Sequence, residues 1–149
     1  VALVAANIGK APSPPQVRAA IRASADPSLS ERERIEALQF AFFAPGNDPR
    51  GWLEGWHLEV LQAQRIAGDR TSREEDFAAG RVPILYLQPD HDPLAHVEDA
   101  TAYKEQFAER VTIVVIGQSS HAVIAEQPDA VSAALIRYAR QLWPDESGE

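Results

Sequence analysis

The sequence predicts an α/β fold in which helices cover a small parallel sheet, and three observations lead to this prediction. Continuous apolar runs at 84–87 and 111–116 indicate strands buried on both faces, which is typical of parallel sheets. Each run is followed by apolar residues at helical spacing, and strands that alternate with helices indicate βαβ units. A long stretch of purely helical pattern, from about 14 to 80, separates these strands from an opening apolar run at 1–6.

The opening run from Val1 to Ala6 predicts a core strand that is buried from its first residue. A parallel strand of this kind needs a neighbouring strand on each edge. The apolar run also starts at the first residue, with no loop or turn before it. The chain also contains no methionine. We therefore expect residues 1–8 to be a core strand and the chain to begin inside a domain.

The next segment, 9–81, predicts a helical domain inserted between strands. The prolines near its start favour a turn followed by a first helix, which ends at Asp26-Pro27. Ser30 and Glu33 have the spacing of a capping box, in which each side chain binds the backbone N–H of the other residue. The second helix that begins there carries one apolar face, made by Ile35, Leu38 and Phe42.

Two further helices are predicted before the regular part of the chain. Trp52, Trp56 and Val60 are spaced as neighbours on one face of a third helix, which runs to about residue 67. Thr71 or Ser72 could cap a short fourth helix that ends at Gly80.

From Val82 onward the pattern is regular. It predicts a strand at 82–88, a helix at about 97–109, a strand at 111–116 and a helix at about 128–142. The inward helix faces are predicted to consist of Ala100, Tyr103 and Phe107, and of Val131, Leu135, Tyr138 and Leu142. We expect residues 82–143 to close the core and the acidic tail, 144–149, to be disordered.

Composition narrows the function classes. The net charge is −8 and the basic residues are scattered, which argues against binding to nucleic acid or to an anionic membrane surface. The sequence shows no membrane-spanning run and no signal peptide. There are no cysteines, so disulfides and thiolate metal sites are excluded. We expect a cytoplasmic protein.

Two ionisable residues follow the predicted strands at matching places. Asp92 comes after the strand at 82–88 and His121 after the strand at 111–116, so both loops leave the same edge of a parallel sheet. An imidazole can accept and return a proton near neutral pH, and a carboxylate on its other nitrogen fixes the tautomer. Acid followed by histidine is the closing order of a Ser…Asp…His triad. No Gly-x-Ser-x-Gly motif occurs in the chain.

These segments resemble a known family. Val82 to Leu94, then Val114 to Ala122, then Glu126-Gln127-Pro128, are similar to the closing part of α/β-hydrolase-fold enzymes. In that family a strand leads to the acid loop, the last strand leads to the histidine loop, and Glu-x-Pro introduces the terminal helix. The match covers about 82–143, and the helical segment resembles the family's cap (lid) domain in position and length.

The resemblance implies roles for particular residues and for the chain as a whole. Asp92 would be the triad acid and His121 the base, and the candidates for the cap wall facing the acyl substrate are Phe42, Phe43, Trp52 and Trp56. The implied activity is hydrolysis of an ester or similar acyl bond through an acyl-enzyme, without a cofactor or metal. The family's upstream half, with its nucleophile elbow, has no counterpart here. We therefore expect the isolated chain to be inactive and to associate with an N-terminal half or with a second copy.

Two departures from the family pattern lie in the loops. Pro89 stands where the family usually has glycine, and Gln118-Ser119-Ser120 replaces a small, glycine-rich turn before the histidine. Neither departure removes a catalytic side chain, but both affect the shape of the loops.

Several alternatives stay open. Asp90 is a rival acid, although a turn cap explains it better, and Asp90, His91, Asp92 and His96 could together bind zinc or iron. Ser119 and Ser120 adjoin the histidine but lack a strand–turn–helix elbow. The two tryptophans could serve packing alone. A different class of function is a non-catalytic fragment or self-associating binding module.

Overall fold

A parallel three-stranded sheet lies at the centre of the fold. The computed structural model describes residues 1–9, 12–71 and 78–143. The strands are β1 (Ala2–Val4), β2 (Ile84–Pro89) and β3 (Val111–Ile116), arranged in the order β1-β2-β3. Both neighbouring pairs are parallel. The predicted α/β class is therefore confirmed.

The helices, in chain order, are α1 (Pro15–Ser24), α2 (Glu31–Phe42), α3 (Leu58–Arg70), α4 (Val97–Phe107), α5 (Val123–Glu126) and α6 (Pro128–Leu142), with short 3-10 helices at Arg50–Trp52 and Ala108–Arg110. The capping box at the start of α2 is formed as predicted. Glu33 N donates to Ser30 Oγ at 3.3 Å, and Ser30 N donates to Glu33 Oε2 at 2.9 Å. Within the described residues, no helix is both long and apolar enough to cross a bilayer.

Strand β2 organises the core because it is buried along its whole length. Its side chains alternate between the two faces of the sheet, as the geometry of a strand requires. Leu85 and Leu87 pack on the side of α6, whereas Ile84 and Tyr86 pack on the side of α4. The helix residues that meet them are Val131 and Ala134 on α6, and Ala100 and Tyr103 on α4.

The two outer strands are less buried than the sequence predicted. Val1 is 54% exposed, and β1 pairs only with β2 among the described residues. Val115 in β3 is 56% exposed, although its strand was predicted to be buried on both faces. Both strands lie at an edge of the described sheet, so they lack the second neighbour that a fully buried strand requires. The prediction of two-face burial was correct for β2 and wrong for β1 and β3.

The predicted third helix was wrong at its beginning. Trp52 ends a 3-10 helix and Trp56 lies in the loop before α3, so the two tryptophans do not share a helical face. Gly55, between them, has a φ of +84°, a left-handed conformation that glycine adopts without steric cost and that ends a helix. Val60 is on α3 but is 48% exposed.

The inward face of α6 also differs from the prediction. Ala134 is buried, whereas its neighbour Leu135 is 37% exposed, because the helix rests on the sheet through its smaller residue. Two predictions, the short helix after Thr71 and the disordered tail, fall on 72–77 and 144–149, which lie outside the described residues.

The helical segment packs against the loops that leave the carboxyl ends of β2 and β3. One apolar cluster joins Phe42 of α2 to Leu94, from the loop after β2, and to Ala122, from the loop after β3. A backbone hydrogen bond of 2.8 Å from Ala122 N to Phe42 O strengthens the same contact. The end of α2 therefore lies directly over the two loops that carry the candidate site.

Candidate active site

The loop after β2 is fastened at both of its ends. The buried side chain of Gln88 donates to the carbonyl oxygens of Pro89 and Ala95, at 2.7 Å each. The loop between these two carbonyls contains Asp92. Because a buried amide with two good partners has little freedom to move, Gln88 fixes the shape of this loop.

Asp92 is oriented within the loop by the loop's own backbone. Its Oδ1 accepts hydrogen bonds from Leu94 N at 2.7 Å and from Ala95 N at 3.1 Å. Its side chain has no exposed surface. The remaining oxygen, Oδ2, is directed at the loop after β3.

His121 meets that oxygen. Its Nδ1 lies 2.9 Å from Asp92 Oδ2, within the hydrogen-bond range expected from the sequence. A carboxylate can only accept, so Nδ1 carries the proton and donates it. The imidazole is 29% exposed, and within the described part of the chain its Nε2 makes no hydrogen bond. The pair therefore has the geometry of an acid-oriented base with a free lone pair.

Asp90, the rival acid, binds the histidine loop instead of the histidine ring. Its Oδ2 accepts from Gln118 N at 3.0 Å, and its Oδ1 accepts from Ser119 N at 3.0 Å and faces His91 Nδ1 at 2.7 Å. Burial tends to raise the pKa of Asp90, but the hydrogen bonds from His91 and from the two backbone N–H groups outweigh it and hold that pKa below its ordinary value. Asp90 thus links the two loops.

Gln118, in the turn after β3, adopts a backbone conformation that glycine favours. Gln118 has a φ of +54°, which is uncommon for a residue with a side chain. Its N–H is held by Asp90, and its carbonyl accepts from Asn47 Nδ2 at 3.0 Å. These contacts on both sides compensate for the strained backbone at this turn.

Sequence reasoning missed the hydrogen bonds by which Glu126 connects the loop after β3 to the loop after α2. Its Oε2 accepts from Ser120 N at 2.6 Å, while its Oε1 accepts from Ala44 N at 2.6 Å and from Asn47 Nδ2 at 2.7 Å. The only available signal was the Glu-Gln-Pro motif, which marks the start of α6 and says nothing about these long-range donors.

The four predicted wall residues lie together but at different depths from the histidine. The ring of Phe42 is 6.0 Å from the ring of His121, measured between centroids. Trp52 and Trp56 contact Phe42, at 5.6 Å and 5.9 Å. Phe43 is one step further away, with its ring 5.2 Å from that of Trp52. The structure therefore places the ring of Phe42 beside the imidazole of His121, and the other three rings pack behind or around Phe42.

The competing chemistries find less support in the geometry. Ser119 and Ser120 are buried, and their hydroxyls donate to the carbonyls of Ile116 and His91, at 2.8 Å and 3.3 Å. Neither is presented as an attacking nucleophile. Across the described ranges, no group of three or more His, Cys, Asp or Glu residues is arranged to hold a metal ion.

Comparison with known proteins gives a likeness of fold. No family model and no curated protein matches the chain. Among solved structures, the chain is similar to a Bacillus subtilis protein described as a "putative hydrolase", with a TM-score of 0.58 and 15% sequence identity. The match covers 93% of this chain and 50% of that one, so the chain spans about half the length of this relative in structure. The chain therefore shares its arrangement of strands and helices with about half of that structure.

Proposed function

We propose that this chain is the C-terminal part of an α/β-hydrolase-fold esterase. In this proposal residues 9–81 form the cap, residues 82–143 close the catalytic core, and the active site is completed by a segment that carries the nucleophile. The observation that carries the proposal is the 2.9 Å hydrogen bond between His121 Nδ1 and the buried carboxylate of Asp92.

The geometry of this pair suits general-base catalysis. With Nδ1 bound to Asp92, the lone pair of Nε2 can take the proton of a serine hydroxyl as that oxygen attacks the acyl carbonyl carbon. The imidazolium then returns the proton to the leaving alkoxide, and an acyl-enzyme forms. Water, deprotonated by the same Nε2, attacks the acyl carbon in turn, and the acid product leaves as the serine recovers its proton. Asp92 stabilises the imidazolium in both halves of the cycle.

The nucleophile has to come from outside these residues. Ser119 and Ser120 are buried and hydrogen-bonded, and the sequence has no Gly-x-Ser-x-Gly motif. An oxyanion hole is also needed for efficient acyl transfer, and the family builds it from segments with no counterpart here. We therefore expect the isolated chain to be inactive toward esters.

The aromatic cluster suggests an apolar acyl or leaving group. The ring of Phe42 lies beside the imidazole at a tilt of 40° and is backed by Trp52 and Trp56, so a substrate carbonyl near Nε2 would have an apolar group against these rings. Phe42 lies nearest the imidazole but is buried, whereas Trp52 and Trp56 are partly exposed, so we assign substrate contact to the tryptophans and to the accessible edge of Phe42. Phe43, which is also buried, belongs to the wall behind them.

A serine-reactive probe tests the proposal. The tagged chain, purified with its associated proteins, should yield a complex that hydrolyses p-nitrophenyl esters and in which a fluorophosphonate labels a serine of the partner segment. Labelling should be lost in the His121→Ala complex and kept in His96→Ala, a matched histidine outside the pair. The chain alone should give neither labelling nor turnover. Labelling that survives His121→Ala, or an active partner that needs no copy of this chain, would refute the proposal.

A second candidate is a self-associating binding module, and the exposed sheet edges favour it. Val1, which directly precedes β1, and Val115 on β3 are more than half exposed, and apolar strand edges invite pairing with another chain. In this case the chain would form a stable dimer by analytical ultracentrifugation, and His121→Ala would change none of its binding properties.

A further inference from the structure

We infer that Glu126 is a positioning residue for His121, and that it couples the placement of this base to the end of the helical segment. The inference rests on the proposed function, in which His121 acts as the general base. The observations behind it are the hydrogen bonds of Glu126, which are separate from the hydrogen bond between Asp92 and His121.

The backbone before His121 is held by carboxylates from two directions. The N–H groups of Gln118 and Ser119 donate to Asp90, and the next N–H, that of Ser120, donates to Glu126. Three successive backbone donors leading to the histidine therefore each have an anionic acceptor. Hydrogen bonds to a charged acceptor are about twice as strong as neutral ones, so this stretch has little freedom to shift.

Glu126 differs from Asp90 in the hydrogen bonds that its second carboxylate oxygen accepts. Oε1 accepts from Ala44 N and Asn47 Nδ2, which belong to the loop that follows α2. The same loop continues from Phe42, whose ring faces His121 and whose carbonyl accepts from Ala122 N. One carboxylate thus links the residue before the base to the segment that supplies the aromatic wall.

A glutamine in this place would fit in size but not in hydrogen bonding. Both oxygens of Glu126 accept from N–H donors, so an amide NH₂ group would face a donor at one end or the other. In Glu126→Gln we expect the Ser120 end or the Ala44 end to lose its bond, which allows the histidine loop to move. The distance between Nδ1 and Asp92 then fluctuates more.

Solution NMR of the 149-residue chain provides the test. With ¹⁵N-labelled histidine, the wild type should show the Nδ1–H tautomer of His121 and a low-field Nδ1 proton protected from exchange with water. Glu126→Gln should raise the exchange rate of this proton by roughly tenfold or more, since a bond to a charged group is lost. Glu105→Gln, the same substitution at an exposed position on α4, should leave it unchanged.

The backbone N–H of Leu87 in buried β2 serves as the internal reference for global opening. Unchanged exchange at His121 in Glu126→Gln would overturn the inference. Equal acceleration at His121 and Leu87 would overturn it as well, because Glu126 would then stabilise the whole fold and not the position of the base. If the glutamine variant does not fold, Glu126→Asp decides in the same way, because its shorter side chain keeps the charge but cannot hold Ser120 N and Ala44 N at the same time, and the expected increase is roughly threefold. No nucleophile is needed, so failure of the esterase proposal is a separate result.

Discussion

Replacing Asp92 with asparagine should invert the tautomer of His121. Asparagine has one acceptor oxygen where aspartate has two, and Asp92 uses both, one for the backbone N–H groups of Leu94 and Ala95 and one for the histidine. If the oxygen stays with the two N–H groups, the NH₂ group faces His121 Nδ1. The imidazole must then accept at Nδ1 and carry its proton on Nε2, where it cannot take a proton from a nucleophile.

The structure sets the size of this effect. Flipping the amide to restore the correct tautomer would leave the N–H groups of Leu94 and Ala95 without an acceptor in a buried place. Each unsatisfied buried donor costs about 1–3 kcal/mol, so the wrong tautomer is favoured by about 2–6 kcal/mol. At 1.4 kcal/mol per factor of ten, the competent tautomer falls by roughly 30-fold to 10⁴-fold, and kcat should fall with it.

Two independent measurements report the change of the His121 tautomer in Asp92→Asn. Histidine ¹⁵N shifts of the isolated Asp92→Asn chain should report the proton on Nε2, and the reconstituted enzyme should lose kcat toward p-nitrophenyl esters with little change in KM. Asp99→Asn, an aspartate on α4 outside the pair, is the control. An Asp92→Asn chain that keeps the Nδ1–H tautomer, or an enzyme that loses less than a few-fold in kcat, would refute the reasoning.

Three further predictions concern His121, the neighbouring ring of Phe42, and Asp90, which links the loops after β2 and β3. His121→Ala should lower kcat by about 10³-fold or more with the urea midpoint nearly unchanged, and a smaller loss would remove His121 from the chemistry. Phe42→Ala should lower the free energy of unfolding by about 3–5 kcal/mol because Phe42 is 7% exposed, whereas Phe40→Ala, at 54% exposed, should change it by less than about 0.5 kcal/mol in the same urea titration. Asp90 has a lowered pKa in the folded chain, so its contribution to stability is present above about pH 4 and is lost as the pH falls through the folded pKa. Asp90→Asn should flatten that acid-side loss in urea midpoints taken from about pH 6 to pH 3, and an unchanged pH profile would contradict the assignment.

The pairing of Asp92 with His121 could be predicted because it depends on topology. Parallel strands present their carboxyl ends at one edge, and the lengths of the two apolar runs show where those ends fall. The capping box at Ser30 was equally accessible, since both of its hydrogen bonds are local. Features that depend on local residue spacing or on strand order could therefore be predicted from the sequence.

The missed features depend on long-range contacts or on single backbone angles. Trp52 and Trp56 have helical spacing, but the left-handed angle at Gly55 overrides it. The hydrogen bonds of Glu126 require the loop after α2 to bring Asn47 Nδ2 to 2.7 Å from its Oε1, which no local pattern encodes. The domain bounds, the cytoplasmic location, the partner segment and the catalytic role of the site residues remain predictions for experiment.

The contact between the helical segment and the histidine loop has a consequence for engineering. Ala122 N donates to the backbone carbonyl of residue 42. This hydrogen bond therefore does not depend on the side chain at position 42. The side chain, in contrast, faces the imidazole and the tryptophans. A library limited to large apolar residues at position 42 should therefore vary the surface beside the imidazole while the hydrogen bond from Ala122 N is retained. Under the proposed function, such a library would change substrate selectivity without displacing His121.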